Sequence, residues 1–228
     1  MNATAKKNTV YQEILQRLFQ RRYRFGDRIL VKEIAEETGV SRHPIMTAMH
    51  RLQDHGFVRI TAQVGCEVVT PTLEEIGDFY RMFAAIEGLI AEFAAQRATP
   101  VEITRLRLIN EQIETLDPSR PQDAEPYQAL NVEFHTQLHA MARSSVVCSR
   151  QLANFELSDF FLSQVSGFQA HLDRVAQEHA RVIEAIVARD AARAHEAARA
   201  HIDSVAQTVA RAMAGRERGG QAQGFRRP

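Results

Sequence analysis

Asn131 and His135 stand four residues apart, a spacing that sets both side chains on one face of a helix. His179 precedes Val182, Ile183 and Ile186 by three, four and seven positions, so it shares the inward stripe of its own helix. His201 follows Ala194, Ala197 and Ala198 and precedes Val205, which turns it inward in the same way. Three imidazoles and an amide oxygen, drawn from three helices toward one interior, are donor types for a divalent metal site. Taken singly, each histidine reads equally well as a core residue bonded to a near neighbour. His139, one turn beyond His135, is a candidate to line the same interior.

A second group lies in "GVSRHPIMTAMHRL", residues 39–52. Ile45, Ala48, Met49 and Leu52 form an apolar side, and Ser41, Arg42, His43, Met46, Thr47 and His50 fall on or near the other. The Arg42 guanidinium matches the paired acceptors of a guanine edge, and Ser41 or Lys32 suits a phosphate. The same side also reads as an ordinary solvated helix face, and the flanking elements decide between the two.

Thr9 to Arg22 carries Val10, Ile14, Leu15, Leu18 and Phe19 at helical spacing and predicts a first helix, broken by "RFGD" at 24–27. Val31, Ile34 and Ala35 predict a short second helix ended by Gly39, and the third runs to Gly56. Ala35 permits a close approach, Gly39 suits a left-handed turn, and Ser41 is placed to cap the third helix through its hydroxyl. "FVRI" (57–60) and "CEVVT" (66–70), with Gly65 between them, predict a hairpin. Three helices followed by a hairpin form a winged helix-turn-helix, a plan in which the third helix meets base edges.

From Thr72 onward the pattern predicts only helices: Leu73 to Ala98, Val101 to Leu116, Glu125 to Arg143, Val147 to Gln164, His171 to Arg189 and Ala191 to Ala214. The expected fold is mainly α. It places a winged helix-turn-helix over residues 1–72, an all-α helical bundle over 73–214, and a Gly- and Arg-rich tail over 215–228 that is expected to be disordered.

The 228 residues are 45% hydrophobic and 25% charged, a globular composition. No apolar run approaches the roughly 20 residues that span a bilayer, and the polar start lacks a signal-peptide core, so the cytoplasm is the expected compartment. Cys66 and Cys148 are too few and too far apart for a disulfide framework. The net charge of zero hides an asymmetry: residues 1–72 hold 11 Lys and Arg against 7 Asp and Glu, and the remainder 17 against 21. A basic first third suits a nucleic-acid module.

"YRFGDRILVKEIAEETGVSRHPIMTAMHRLQDHGFVRITAQVGCEVVTPT", residues 23–72, resembles the DNA-binding domain of GntR-type bacterial transcription regulators. The resemblance implies that Lys32, Ser41 and Arg42 contact a double-stranded operator and that the wing enters the minor groove near Gly65. His43 and Thr47 share the outward face. The family usually has a basic residue where Met46 stands, and arginines where Gln63 and Val64 stand, so fewer cationic contacts are expected here.

Residues 72–214 resemble the helical FCD effector domain of the FadR-like branch of that family. The match rests on Asn131-x3-His135, on His179-x21-His201, and on "EFH" and "HARVIEAIVARD" around them. It implies a divalent cation, often zinc or nickel, at the floor of a pocket for a small organic acid. Asn131 replaces the usual aspartate and removes one negative donor. Phe83 stands where an arginine is expected four residues before Glu87, with Arg81 nearby, so Arg81, Phe83 and His139 are the candidate ligand-binding residues.

The expected function is a ligand-responsive, homodimeric transcription regulator without a membrane anchor, acting as a repressor. Two alternatives stand beside it. A metal-dependent hydrolase could use the histidines to activate water, although no nucleophile elbow, phosphate loop or well-spaced general base is found. A structural DNA binder would need no effector.

Overall fold

The computed structural model describes the backbone of residues 3–117, 119–165 and 169–224. Contacts divide the chain into two compact units, residues 1–72 with 156–164, and residues 73–155 with 165–228. The inclusion of 156–164 in the first unit differs from the expected division into 1–72 and 73–214.

In the first unit, α1 (Ala3–Phe19) buries Val10, Tyr11, Ile14, Leu15 and Leu18 and packs on α3 (Arg42–Asp54), which buries Ile45, Ala48, Met49 and Leu52. α1 stops three residues before the expected Arg22 because Arg21 takes the left-handed conformation, φ 60°. Its N–H and that of Arg22 turn back to the carbonyls of Leu18 and Arg17, at 3.1 and 3.0 Å. α2 (Val31–Thr38) ends at Gly39, whose φ of 65° lets its N–H reach the Ala35 carbonyl at 3.0 Å.

The hairpin is β2 (Val58–Thr61) and β3 (Gly65–Val68), and β1 (Arg28–Ile29) pairs antiparallel with the far side of β3 to give the order β1-β3-β2. β1 was not expected. Two residues carry no alternation, and the strand exists only through partners: Arg28 opposite Glu67 and Ile29 opposite Cys66.

α7 (Ser145–Val165) adds residues 156–164 to this unit. The Phe160 ring meets Phe25 and Phe57 edge-on at 5.6 and 5.3 Å. The Gln164 amide donates to the carbonyls of Leu18, in the last turn of α1, and of Tyr23, just beyond it. Burial, with Glu156 beside it, pushes the Asp159 carboxyl up to about 8. The folded state therefore holds this proton more tightly than the unfolded chain. Stability is fully present below the ordinary aspartate range and is lost as pH rises toward 8. Asp159→Asn is expected to raise the melting temperature at pH 8 and leave it nearly unchanged at pH 4, as read by calorimetry at both pH values.

The described α-helices of the second unit are α4 (Leu73–Arg97), α5 (Pro100–Glu114), α6 (Ala124–Ala142), the first part of α7, α8 (Gln169–Val187) and α9 (Ala191–Gly224). α5 starts on a capping box: Thr99 Oγ1 accepts from the Glu102 N–H, and the Thr99 N–H donates to Glu102 Oε2 at 2.7 Å. α4 runs along α9 and also packs on α6 and α8, while α5 packs on α6 and α8. Each large side chain buried in this unit, such as Phe134 or Ile186, contributes about 1.5–3 kcal/mol by burial.

At Gly88 a Cβ would lie 2.9 Å from both the His195 ring and the Arg199 stem, so glycine is what lets α4 and α9 close. At that approach His195 is partly covered and sits 3.3 Å from Glu92. Of the expected tail, residues 215–224 continue α9, and residues 225–228 lie outside the described residues, as does the His171 side chain. No described helix is long and apolar enough to cross a membrane.

Candidate nucleic-acid interface and metal centre

Ser41 sits at the N-cap of α3 in extended conformation, but its hydroxyl makes no capping bond. The residue three positions on is Pro44, which has no N–H to donate, so the expected cap loses its usual partner. The hydroxyl stays exposed at the start of the helix beside Arg42 and His43, which are also exposed. The Thr47 hydroxyl donates to the His43 carbonyl at 3.1 Å, leaving only its lone pairs facing outward. Lys32 is 86% exposed and 3.6 Å from Glu36, a surface pair weak enough to yield to a phosphate.

The wing turns between β2 and β3 on Gln63 (φ 63°) and Gly65 (φ 126°), and a Cβ at Gly65 would meet nothing within 4 Å. That open, apolar tip ends in the exposed Val64. The Gln53 side chain accepts from the Ile60 N–H at 2.8 Å and ties the end of α3 to the wing. Met46 is half-buried and offers no charge.

In the second unit, α6, α8 and α9 bring His135, His179 and His201 together, each buried and each with a ring nitrogen within 4.8 Å of those of the other two. His179 stacks flat on Phe134, centroids 3.7 Å apart and planes 2° apart. Phe155 tilts over His135 at 4.5 Å. His135 Nδ1 lies 3.2 Å from Glu87 Oε2, and His201 Nδ1 lies 2.9 Å from Glu178 Oε2. An ionised carboxylate can only accept, so beside one the facing Nδ1 would carry the proton, and Nε2 of a neutral ring would be the lone-pair donor.

Burial pushes the His135 imidazole down to about 4, against the opposing pull of Glu87, so the ring is neutral near pH 7. Burial works to raise the Glu87 carboxyl, but His139 and His135 outweigh it and hold the carboxyl well below the ordinary range.

Two observations bear on whether a divalent ion suits this cluster. His135 Nε2 and Asn131 Oδ1 are buried and have no hydrogen-bond partner among the described residues, a costly state unless something accepts their lone pairs. The nitrogen-rich donor set, with carboxylates behind two of the rings, is also the arrangement that holds a borderline-soft ion such as zinc or nickel. The residues fit.

The other candidates lie elsewhere. Arg81 is 85% exposed and 4.0 Å from Asp78, on the outer side of α4, so it does not reach the cluster. Phe83 is buried among Phe79 and Phe155, in a second layer behind the ring that covers His135. His139 turns its Nε2 to Glu87 Oε1 at 2.7 Å and so backs the carboxylate instead of lining a cavity.

Glu87, Glu178 and Gln151 were missed. Glu87 had a signal, since it is a carboxylate on the same inward stripe as Tyr80, Phe83 and Ala84. Glu178 and Gln151 had none, because their roles depend on partners in other helices.

Against known proteins, residues 78–204 match the FCD domain family, and residues 6–68 match the bacterial regulatory proteins of the gntR family. The HTH-type transcriptional regulator YdhC of Bacillus subtilis is 25% identical over 199 residues, 84% of each chain. The Uxu operon regulator of Haemophilus influenzae is 28% identical, over 85% of this chain and 78% of that one. A solved structure titled as a putative GntR transcriptional regulator from Rhodococcus superposes with a TM-score of 0.71 over 90% of this chain and 97% of that chain. At 14% identity, that likeness concerns the fold alone.

Proposed function

The chain belongs to the bacterial gntR family of DNA-binding transcription regulators and carries the FCD domain, and from that premise we propose that it is a metabolite-responsive repressor. The matched families and relatives are regulators, which sets the hydrolase alternative aside. On this reading, two copies of the chain place their α3 helices on two operator half-sites. Arg42 reads a base edge, Ser41 and Lys32 hold phosphates, His43 and Thr47 border the contact, and the Gly65 wing follows the minor groove. A relative named as an operon regulator supports an operator as the target.

The second unit holds the effector. Asn131, His135, His179 and His201 hold a divalent ion, zinc or nickel, which when bound supplies a Lewis-acidic point for the carboxylate of a small organic acid. The observation that carries this reading is the convergence of three buried imidazoles from three helices, with His135 Nε2, and Asn131 Oδ1 one turn earlier on the same helix, buried without a hydrogen-bond partner among the described residues. Phe134 and Phe155 make the surroundings apolar, and no arginine stands at position 83, so the fitting acid has a sizeable apolar body.

α7 supports coupling between the two activities, because one helix contributes Gln151 and Phe155 around the histidines and residues 156–164 to the DNA-reading unit. The effector weakens DNA binding only if it prefers the conformation that does not bind DNA.

Footprinting on operator fragments selected from random DNA tests the first half of this reading. Two protected half-sites a whole number of helical turns apart are expected. Diffuse protection without sequence preference would favour a structural DNA binder.

A further inference from the structure

A divalent ion in a buried site is costly unless negative charge lies close by. In this chain none of the four candidate donors, Asn131 Oδ1 and three imidazoles, brings a negative charge. The missing charge sits one layer further out. Glu87 is 1% exposed, and its two oxygens take three donors: His135 Nδ1 at 3.2 Å, His139 Nε2 at 2.7 Å and Gln151 Nε2 at 3.0 Å. Held from three directions, the carboxylate has one orientation, and through it His135 has one as well. Glu178 makes the corresponding contact with His201 Nδ1 at 2.9 Å.

We infer that Glu87 and Glu178 are positioning residues of the metal centre, which turn the Nε2 lone pairs of His135 and His201 toward the ion and supply the negative charge that Asn131 does not. This rests on the metal-centre reading above. It also reassigns His139 and Gln151, whose work is to pin Glu87.

Glutamine at position 87 keeps the shape but not the pattern. Its oxygen can accept from one ring, but its NH2 must face the other, and that ring must give up the proton it carries there. If that ring is His135, the proton moves to Nε2 and closes the lone pair meant for the metal.

The test uses the full-length protein and zinc alone, with affinity measured by chelator competition and histidine tautomers read by 15N NMR on metal-free protein. Wild type is expected to bind zinc and to hold His135 in the Nδ1–H form. Glu87→Gln is expected to bind about 10–100-fold more weakly, the usual range for a lost outer-shell partner. Adding Asn131→Asp to Glu87→Gln is expected to recover much of that loss, a rescue that a merely structural role for Glu87 would not give. Zinc affinity unchanged by Glu87→Gln, no rescue by Asn131→Asp, or an Nε2–H His135 in the wild type would each overturn the inference. Wild-type protein that binds no zinc while His135 keeps its Nδ1–H form would overturn the metal-centre reading instead.

Discussion

Protein carrying His179→Ala together with His201→Ala is expected to lose its bound metal and keep its helices. Zinc centres in proteins use three or four protein donors, so removing two imidazoles leaves His135 and Asn131, too few to hold an ion against water. The helices survive because neither side chain is the main filler of the core. Phe134, Leu138, Val182, Ile183 and Ile186 remain buried around them. The change does have a structural cost, since the face of Phe134 that stacks on His179 at 3.7 Å loses its partner. Elemental analysis of wild type and variant, with circular dichroism to follow the helices, reads the outcome. Equal metal content in the two proteins would end the assignment of these histidines as ligands.

Arg42→Ala is expected to weaken binding to the selected operator by about 1–3 kcal/mol, roughly 5- to 150-fold, and to relax preference at one base pair of each half-site. The side chain is exposed at the first turn of α3, where a recognition helix meets base edges, so its removal leaves the fold intact. Lys32→Ala provides the contrast. A lost phosphate contact weakens binding to all sequences alike and lowers the salt dependence, without changing which base is preferred. Gel-shift titrations across a set of single-base operator variants separate the two patterns, and an Arg42→Ala protein with wild-type affinity and preference would refute the base contact.

The long helices of the second unit and the winged plan of the first were legible in the sequence because both rest on periodicity and on glycine at left-handed turns, as at Gly39. What escaped has identifiable physical reasons. The end of α1 was misplaced because an arginine, not a glycine, takes the left-handed position at residue 21. β1 is two residues long and owes its existence to β3. The attachment of residues 156–164 to the first unit depends on Phe160 and Gln164, which look like any core phenylalanine and any glutamine until their partners are known.

The candidate metal centre divides in the same way. The inward direction of His135, His179 and His201 followed from helical spacing, because each helix fixes its own face. Glu87 does lie on the inward stripe of its own helix, but the pairing of Glu87 with His135 and of Glu178 with His201 joins different helices, and local spacing does not announce such pairings. Arg81 shows the converse failure. Two residues from the position where a carboxylate-binding arginine was expected is a 200° rotation on a helix, enough to put it on the outer side.

The central claim, that occupancy of the histidine site controls DNA binding, is tested most directly by an effector titration. The organic acid that most raises the melting temperature of the zinc-loaded protein is added to the protein–operator complex, and affinity is followed by fluorescence anisotropy. The expected result is a loss of operator affinity of about 5-fold or more in the wild type and none in the His179→Ala, His201→Ala protein. The same loss in both proteins, or no change in either at saturating acid, would contradict the account.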